Sequence, residues 1–139
     1  MPQLVIVRGL PGSGKSTYAK TLNMVHFEAD RFFEKGGVYN FDAKLLAAAH
    51  RWCFNNVIET LKSGHDCVVS NTFTKIWEMG NYVTTAKILG DVKIKIVEMH
   101  TQYDNVHNVP VDIQKQMAER WQPIPSHWLD EGIEVEIIS

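Results

Sequence analysis

The 139 residues hold little that would staple a chain covalently, anchor it in a bilayer or drive it onto a polyanion. Two cysteines, Cys53 and Cys67, are too few and too isolated for a disulfide framework or a metal site. One falls on an expected helix and the other in an expected strand, so both read as buried, reduced thiols. No apolar run approaches the roughly 20 residues that span a bilayer. The first residues already read as a strand, which argues against a signal peptide and for the cytoplasm. Positive charge is not in excess: 14 Lys and Arg stand against 16 Asp and Glu, for a net charge of −2. Asp130, Glu131, Glu134 and Glu136 crowd the last ten residues. A broad nucleic-acid surface is therefore not indicated, although a small basic patch would not show in the total. His26, His65, His100 and His127 show no ligand spacing, so no histidine metal site is supported. Repeats, low-complexity stretches and linkers are absent. The length suits one domain over residues 1–139, with one sheet covered by helices.

What is present is organised around Gly9-Leu10-Pro11-Gly12-Ser13-Gly14-Lys15-Ser16-Thr17, directly after the apolar run Leu4-Val5-Ile6-Val7. Four residues separate the first glycine from Gly-Lys-Ser, the spacing of a phosphate-binding P-loop. Gly12 and Gly14 allow conformations that a Cβ would forbid, so successive N–H groups can face one anion. Lys15 brings a charge to the β- and γ-phosphates, and Ser16 is placed to ligate Mg²⁺. The helix beginning here adds its positive end. A dinucleotide fingerprint would want a small residue at Thr17 and no Lys-Ser pair. The loop points to a nucleoside triphosphate, with Gly9, Pro11, Gly12, Ser13, Gly14, Lys15, Ser16 and Thr17 as its binding residues.

Residues 3–8 read as a strand buried on both faces. A helix follows from about Lys15 to Asn23, then a short strand over 25–28 that ends at Ala29-Asp30-Arg31. Residues 34–40 form a turn-rich loop. A long helix runs from Asp42 to about Lys62, with Leu45, Ala49, Trp52, Cys53, Val57 and Leu61 on one stripe and Gly64 closing it. The third strand covers 66–70, and Thr74 is placed to cap the next helix, which ends near Leu89-Gly90. Alternation over 92–97 suggests a strand nearer the sheet edge. Residues 100–109 read as a polar loop, and Pro110 opens a helix bearing Ile113, Met117 and Trp121 before Pro123 and Pro125 end it. Trp128 lies in a segment read as exposed, and Ile133–Ile138 forms a last strand. Alternating strands and helices give an α/β fold of three layers, with an open parallel sheet of about five strands and a small helical lid over about 100–121.

Further motifs follow the P-loop in order: Asp30 after the second strand, Gly37-Val38-Tyr39-Asn40-Phe41-Asp42, Ala49-His50-Arg51-Trp52, Ser70-Asn71-Thr72, and Asn105-x-His107-x-Val109-Pro110. That succession is similar to the kinase domain of phage-type 5′-polynucleotide kinases, and closer still to the kinase-like domain of the NEDD4-binding protein 2 group. The resemblance covers roughly residues 3–121 and implies the P-loop NTPase kinase fold, with ATP and Mg²⁺. It implies Asp30 as general base on the 5′-hydroxyl of a nucleic-acid end. Independently, phosphoryl transfer needs a carboxylate near the acceptor hydroxyl, and strand carboxyl ends face the ligand crevice in such sheets.

The departures from the family pattern are specific. Arg31 stands where a second aspartate is usual, and Phe33 where some phage kinases carry arginine. No aspartate accompanies Ser70-Asn71, so either the metal is held more weakly or Asp30 shares with Ser16 the duty of holding Mg²⁺. Asp104 occupies a lid position where arginine is common. Of the remaining arginines, Arg8 is either structural or faces the nucleotide. Arg120 either complements a helix dipole or contacts phosphate, and Arg51 reads as solvated helix charge. Arg31, beside Asp30, is the choice for acceptor-side contact. The expected catalytic set is therefore Lys15, Asp30, Arg31 and Arg120. His50 and His107 match family positions, and Tyr39 and Phe41 either stack on a base or pack their loop down. The leading reading is an ATP-dependent kinase for the 5′-hydroxyl of a single-stranded nucleic-acid end. A kinase for a small acceptor, such as a nucleoside, nucleotide or metabolite, stays open. So does an ATP-binding module without efficient transfer that acts through a partner.

Overall fold

In the computed structural model, residues 1–101 and 111–139 are described. The expectations for 102–110, including Asp104, Asn105, His107 and Pro110, lie outside the described residues. Strand β1 (Gln3–Gly9) carries the apolar run and is buried on both faces from Leu4 onward. After it come α1 (Lys15–Thr21), β2 (Val25–Phe27), a 3₁₀ turn at Ala29–Phe33, and the hairpin β3 (Glu34–Lys35) and β4 (Val38–Tyr39). The chain continues through α2 (Leu46–Lys62), β5 (Cys67–Asn71), α3 (Ile76–Leu89), β6 (Lys93–Met99), α4 (Val111–Arg120), α5 (Ser126–Asp130) and β7 (Glu134–Ile138).

Five strands form one sheet in the order β2-β5-β1-β6-β7, every neighbouring pair parallel. Alternation along the strands divides the core. Leu4, Ile6, Cys67, Val69, Ile94 and Ile96 point to a face covered by α2, α3 and Trp128 of α5. Val5, Val7, Val68, Val97 and Met99 point to the other, against Tyr18 and Ala19 of α1 and Leu22 at its C-terminal cap. This is the P-loop kinase fold in three layers, as the strand–helix alternation predicts.

Several boundaries differ for physical reasons. The Asp42 side chain accepts the Lys44 N–H at 3.0 Å, so the second helix opens with a 3₁₀ turn and becomes α-helical only at Leu46. Thr74 does not cap α3. Its hydroxyl donates to Glu78, whose carboxylate also accepts the Lys75 N–H at 3.2 Å. Trp121 falls just past α4 rather than on its stripe. Trp128 is buried, not exposed. The lysine alternation in β6 belongs to the strand next to the edge, where Lys95 pairs with Glu136 of β7 at 2.7 Å.

Arg8, next to last in β1, is fully buried. Its Nε and Nη2 donate to the Phe73 carbonyl at 3.1 and 2.9 Å, and Nη2 also reaches the carbonyls of Thr74 and Gln122. Glu98 lies 3.7 Å from Nη1, and the guanidinium stacks over Trp121 at 3.7 Å from the ring centroid. Burial lowers its pKa to about 10, with Glu98 and then Glu78 pulling the other way, so it stays charged near neutral pH. Phe73 holds a left-handed φ of 45°, a conformation that costs a bulky residue about 1–3 kcal/mol, while its carbonyl serves Arg8. Of the two roles open to Arg8, the structure shows the internal clamp.

Candidate nucleotide-binding site

The P-loop leaves β1 at its carboxyl end, where all five parallel strands point. Gly9 has to be glycine because the loop folds back on it. A Cβ there would sit 2.3 Å from Ser13 Oγ and 3.0 Å from Met99 Cβ. Gly12 and Gly14 take φ of 83° and 85°, which an L side chain resists. Ser13 is buried, its N–H on the Leu10 carbonyl and its own carbonyl accepting from the Thr101 hydroxyl at 2.6 Å. Among the described residues, the N–H groups of Gly12, Gly14, Lys15 and Ser16 take no protein acceptor, the condition of an anion cradle.

Lys15 turns back so that Nζ donates to the Leu10 carbonyl at 3.2 Å. Burial lowers its pKa, while Glu28 and Asp30 act in the opposite sense. Pro11 flanks the loop, and Thr17 is exposed on α1. A cavity of about 270 Å³ opens beside the loop, lined by Leu10, Ser13, Met99, His100, Ala118 and Trp121 among others.

The carboxylate nearest the Ser16 hydroxyl is Glu28, not Asp30. Ser16 Oγ donates to Glu28 Oε2 at 2.6 Å, and Ser70 Oγ donates to the same oxygen at 3.0 Å. His26 Nε2 lies 2.7 Å from Ser70 Oγ. Since Ser70 spends its proton on the carboxylate, the ring nitrogen is the donor in that contact. Burial first, and then Arg31 and Lys20, lower the His26 pKa against the pull of Glu28, which keeps the ring neutral near pH 7.

Asp30 lies in the 3₁₀ turn, exposed, with the Tyr39 hydroxyl 3.4 Å from Oδ1. The turn is pinned by Asn71, whose Oδ1 accepts the Ala29 N–H at 3.0 Å. Tyr39 and Phe41 both pack edge-on against Phe33, with centroids at 6.3 and 5.1 Å. The carboxylate thus stands on a braced segment, close enough to Lys15 to act on its charge.

The expected arginines do not converge there. Arg31 donates to the His26 carbonyl and lies over the Phe27 ring, 5.2 Å from its centroid. Arg120 ends α4 exposed, and Arg51 is exposed on α2. Arg51 and His50 line a groove of about 640 Å³ between α2 and α3, with Phe54, Trp77 and Tyr82. Trp77 is 71% exposed, its ring open to the groove.

Ser16 and Glu28 supply the hard oxygens that Mg²⁺ prefers. That ion commonly takes one or two protein oxygens and completes its shell with phosphate and water. The Ser16–Glu28 pair fits an ion brought with a nucleotide, and among the described residues no cluster of His, Cys, Asp and Glu could hold a metal unaided. Glu28, His26 and Ser70 were not singled out as site residues from the sequence. One signal was available, the alternation that sets His26 and Glu28 on one face. The placing of Glu28 beside Ser70 follows from the parallel pairing of Phe27 with Val69, which only the structure shows.

Comparison with known proteins speaks to the family and the fold. A family model described as "AAA domain" (AAA_33) matches residues 4–107. Human NEDD4-binding protein 2 is 35% identical over 133 residues, 86% of this chain, although the chain spans only 8% of that protein's length. A sugar kinase from Janibacter sp. HTCC2649 superposes with a TM-score of 0.65 at 12% identity, covering 99% of this chain and 85% of that one. A chain of the Pnkp1/Rnl/Hen1 RNA repair complex superposes with a TM-score of 0.53 at 21% identity, covering 94% of this chain and 42% of that one. At these identities the two solved structures speak for the fold. The chain belongs to the AAA_33 family of AAA domains and carries its P-loop in a kinase-like fold.

Proposed function

We propose that this chain is an ATP-dependent phosphotransferase whose acceptor is the 5′-hydroxyl of a nucleic-acid end. The observation that carries the reading is the pairing of an open P-loop with a braced carboxylate. Gly12, Gly14, Lys15 and Ser16 present unpaired amides, and Asp30 stands near enough to affect the charge of Lys15. In this reading the loop amides and Lys15 hold the β- and γ-phosphates in line with the acceptor. Asp30 takes the proton of the attacking hydroxyl as the new O–P bond forms and the bond to ADP breaks. Mg²⁺ neutralises charge on the β- and γ-oxygens when bound.

The α2–α3 groove favours a polynucleotide over a small acceptor. An exposed Trp77 ring beside Arg51 and His50 offers the stacking surface and cation that single strands use. A second reading, an ATP-binding module with weak transfer, is favoured by the arginines. Arg8 is committed to the core and Arg31 to His26 and Phe27, whereas a transition-state arginine contributes about 10³–10⁵ in rate.

The test is transfer of labelled γ-phosphate from Mg·ATP to a short 5′-hydroxyl single strand, run beside a panel of nucleosides and sugars. Labelled oligonucleotide from wild type and none from Asp30→Asn, with ATP binding retained, is the expected result. Label only on small acceptors would move the assignment to them. ATP binding without transfer to any acceptor would select the second reading.

A further inference from the structure

β1, which carries the P-loop, is flanked in the sheet by β5 and β6. A P-loop site needs a carboxylate beside the loop hydroxyl to hold Mg²⁺, and the carboxyl ends of these two strands are the nearest places to supply one. Neither does so. β5 ends in Ser70-Asn71, and Asn71 is spent on the Ala29 N–H. β6 brings Glu98, which is buried and turned to Arg8 and His100.

We propose that Glu28, reaching across Ser70 from β2, is the carboxylate that positions Mg²⁺ at the P-loop of this protein. Its Oε2 receives the Ser16 and Ser70 hydroxyls at 2.6 and 3.0 Å. A carboxylate only accepts, so the Ser16 proton points at Glu28 and the serine lone pairs remain for the metal. Both hydrogen bonds fall on Oε2, which leaves Oε1 to accept from a metal-bound water. The side chain is 23% exposed, open to the site but not free in solvent. Register explains how the exchange works. Phe27 pairs with Val69, so Glu28 and Ser70 follow side by side, and a short side chain at 70 leaves room for the glutamate to cross over it. His26 completes the support by donating to Ser70 Oγ. Carboxylate function has moved one strand outward, from the end of β5 to the end of β2.

This inference rests on the nucleotide-site reading, and the test separates the two. Binding of AMP-PNP, a non-hydrolysable ATP analogue, is measured in EDTA. Mn²⁺ affinity of the protein–AMP-PNP complex is then followed by electron paramagnetic resonance. Glu28→Gln keeps an oxygen for both serine hydroxyls, so AMP-PNP affinity in EDTA and the melting temperature should hold. Mn²⁺ affinity should fall about 10–100-fold, the scale for losing a group that orients a metal ligand. Adding Ser70→Asp to Glu28→Gln should recover most of it by returning the carboxylate to β5. Should Glu28→Gln melt early, Glu28→Asp, which keeps the charge but shortens the reach, is expected to show a smaller drop. Mn²⁺ affinity within about twofold of wild type in a variant that melts normally overturns the assignment. Failure of Ser70→Asp to recover any affinity overturns the exchange of positions. A wild type that does not bind AMP-PNP refutes the nucleotide-site reading itself.

Discussion

Replacing Arg8 by methionine is expected to cost about 3–5 kcal/mol, the range for removing one partner of a buried ion pair. The magnitude follows from what is stranded. The carbonyls of Phe73, Thr74 and Gln122 lose their donor, and the buried Glu98 carboxylate loses the cation 3.7 Å away. Phe73 also loses the contact that accompanies its positive φ. These losses share one side chain and do not add separately. Against a whole-domain stability of about 5–15 kcal/mol, the loss is a large fraction. For a chain of 139 residues it lowers Tm by about 10–17 °C. Urea unfolding followed by tryptophan fluorescence measures it well, because Trp121 lies on the guanidinium and Trp128 is in the core. Glu98→Gln in the Arg8→Met background should recover about 1–3 kcal/mol, since a neutral amide no longer strands a charge. A loss below about 1 kcal/mol, or no recovery in the double variant, would refute the view that Arg8 clamps the ends of β1, β5 and α4.

Other outcomes follow from the same structure. Asp30→Asn should reduce phosphoryl transfer by about 10²–10⁴ while leaving ATP affinity close to wild type, read by single-turnover transfer and calorimetry. Lys15→Ala should weaken ATP binding by tenfold or more, on the order of the 1.4 kcal/mol that one charge-assisted contact supplies, measured by calorimetry. Burial raises the Cys67 thiol to about 12. Its contribution to stability is full below the unfolded-state value near 8.5 and is lost as pH rises toward 12, by about 1.4 kcal/mol per pH unit where only the unfolded thiol ionises. Cys67→Ala should flatten that alkaline limb of the urea midpoint. Gly9→Ala should disturb the P-loop, because the new methyl meets Ser13 Oγ and Met99. Lost ATP binding in a protein whose near-neutral melting temperature falls by only a few degrees is the expected signature.

Much of the fold was legible because it rests on local chemistry. The apolar run at Leu4–Val7 and the glycine spacing that follows force a strand, a left-handed loop and a helix in that order. The stripe Ala49, Cys53, Val57, Leu61 needed only the helical period, and all four are buried on α2. What escaped is non-local. Trp121 continues the α4 stripe in sequence, but Arg8, more than a hundred residues earlier, takes the ring for itself. Arg31 sits beside Asp30 in sequence, yet the turn at Ala29–Phe33 sends its guanidinium back to the His26 carbonyl. Glu28 showed only as the last residue of a short strand. Its place beside Ser16 depends on β2 pairing with β5, a register that strand order decides and local pattern does not.

Counting ADP released from Mg·ATP as 5′-hydroxyl oligonucleotide ends are supplied decides whether the chain is an end-directed kinase. Release should rise with the ends and stop at one ADP per end. A strand that already carries a 5′-phosphate should give no release above background. Tight ATP binding with no acceptor-dependent ADP, across oligonucleotides and small hydroxyl acceptors alike, would contradict the kinase reading.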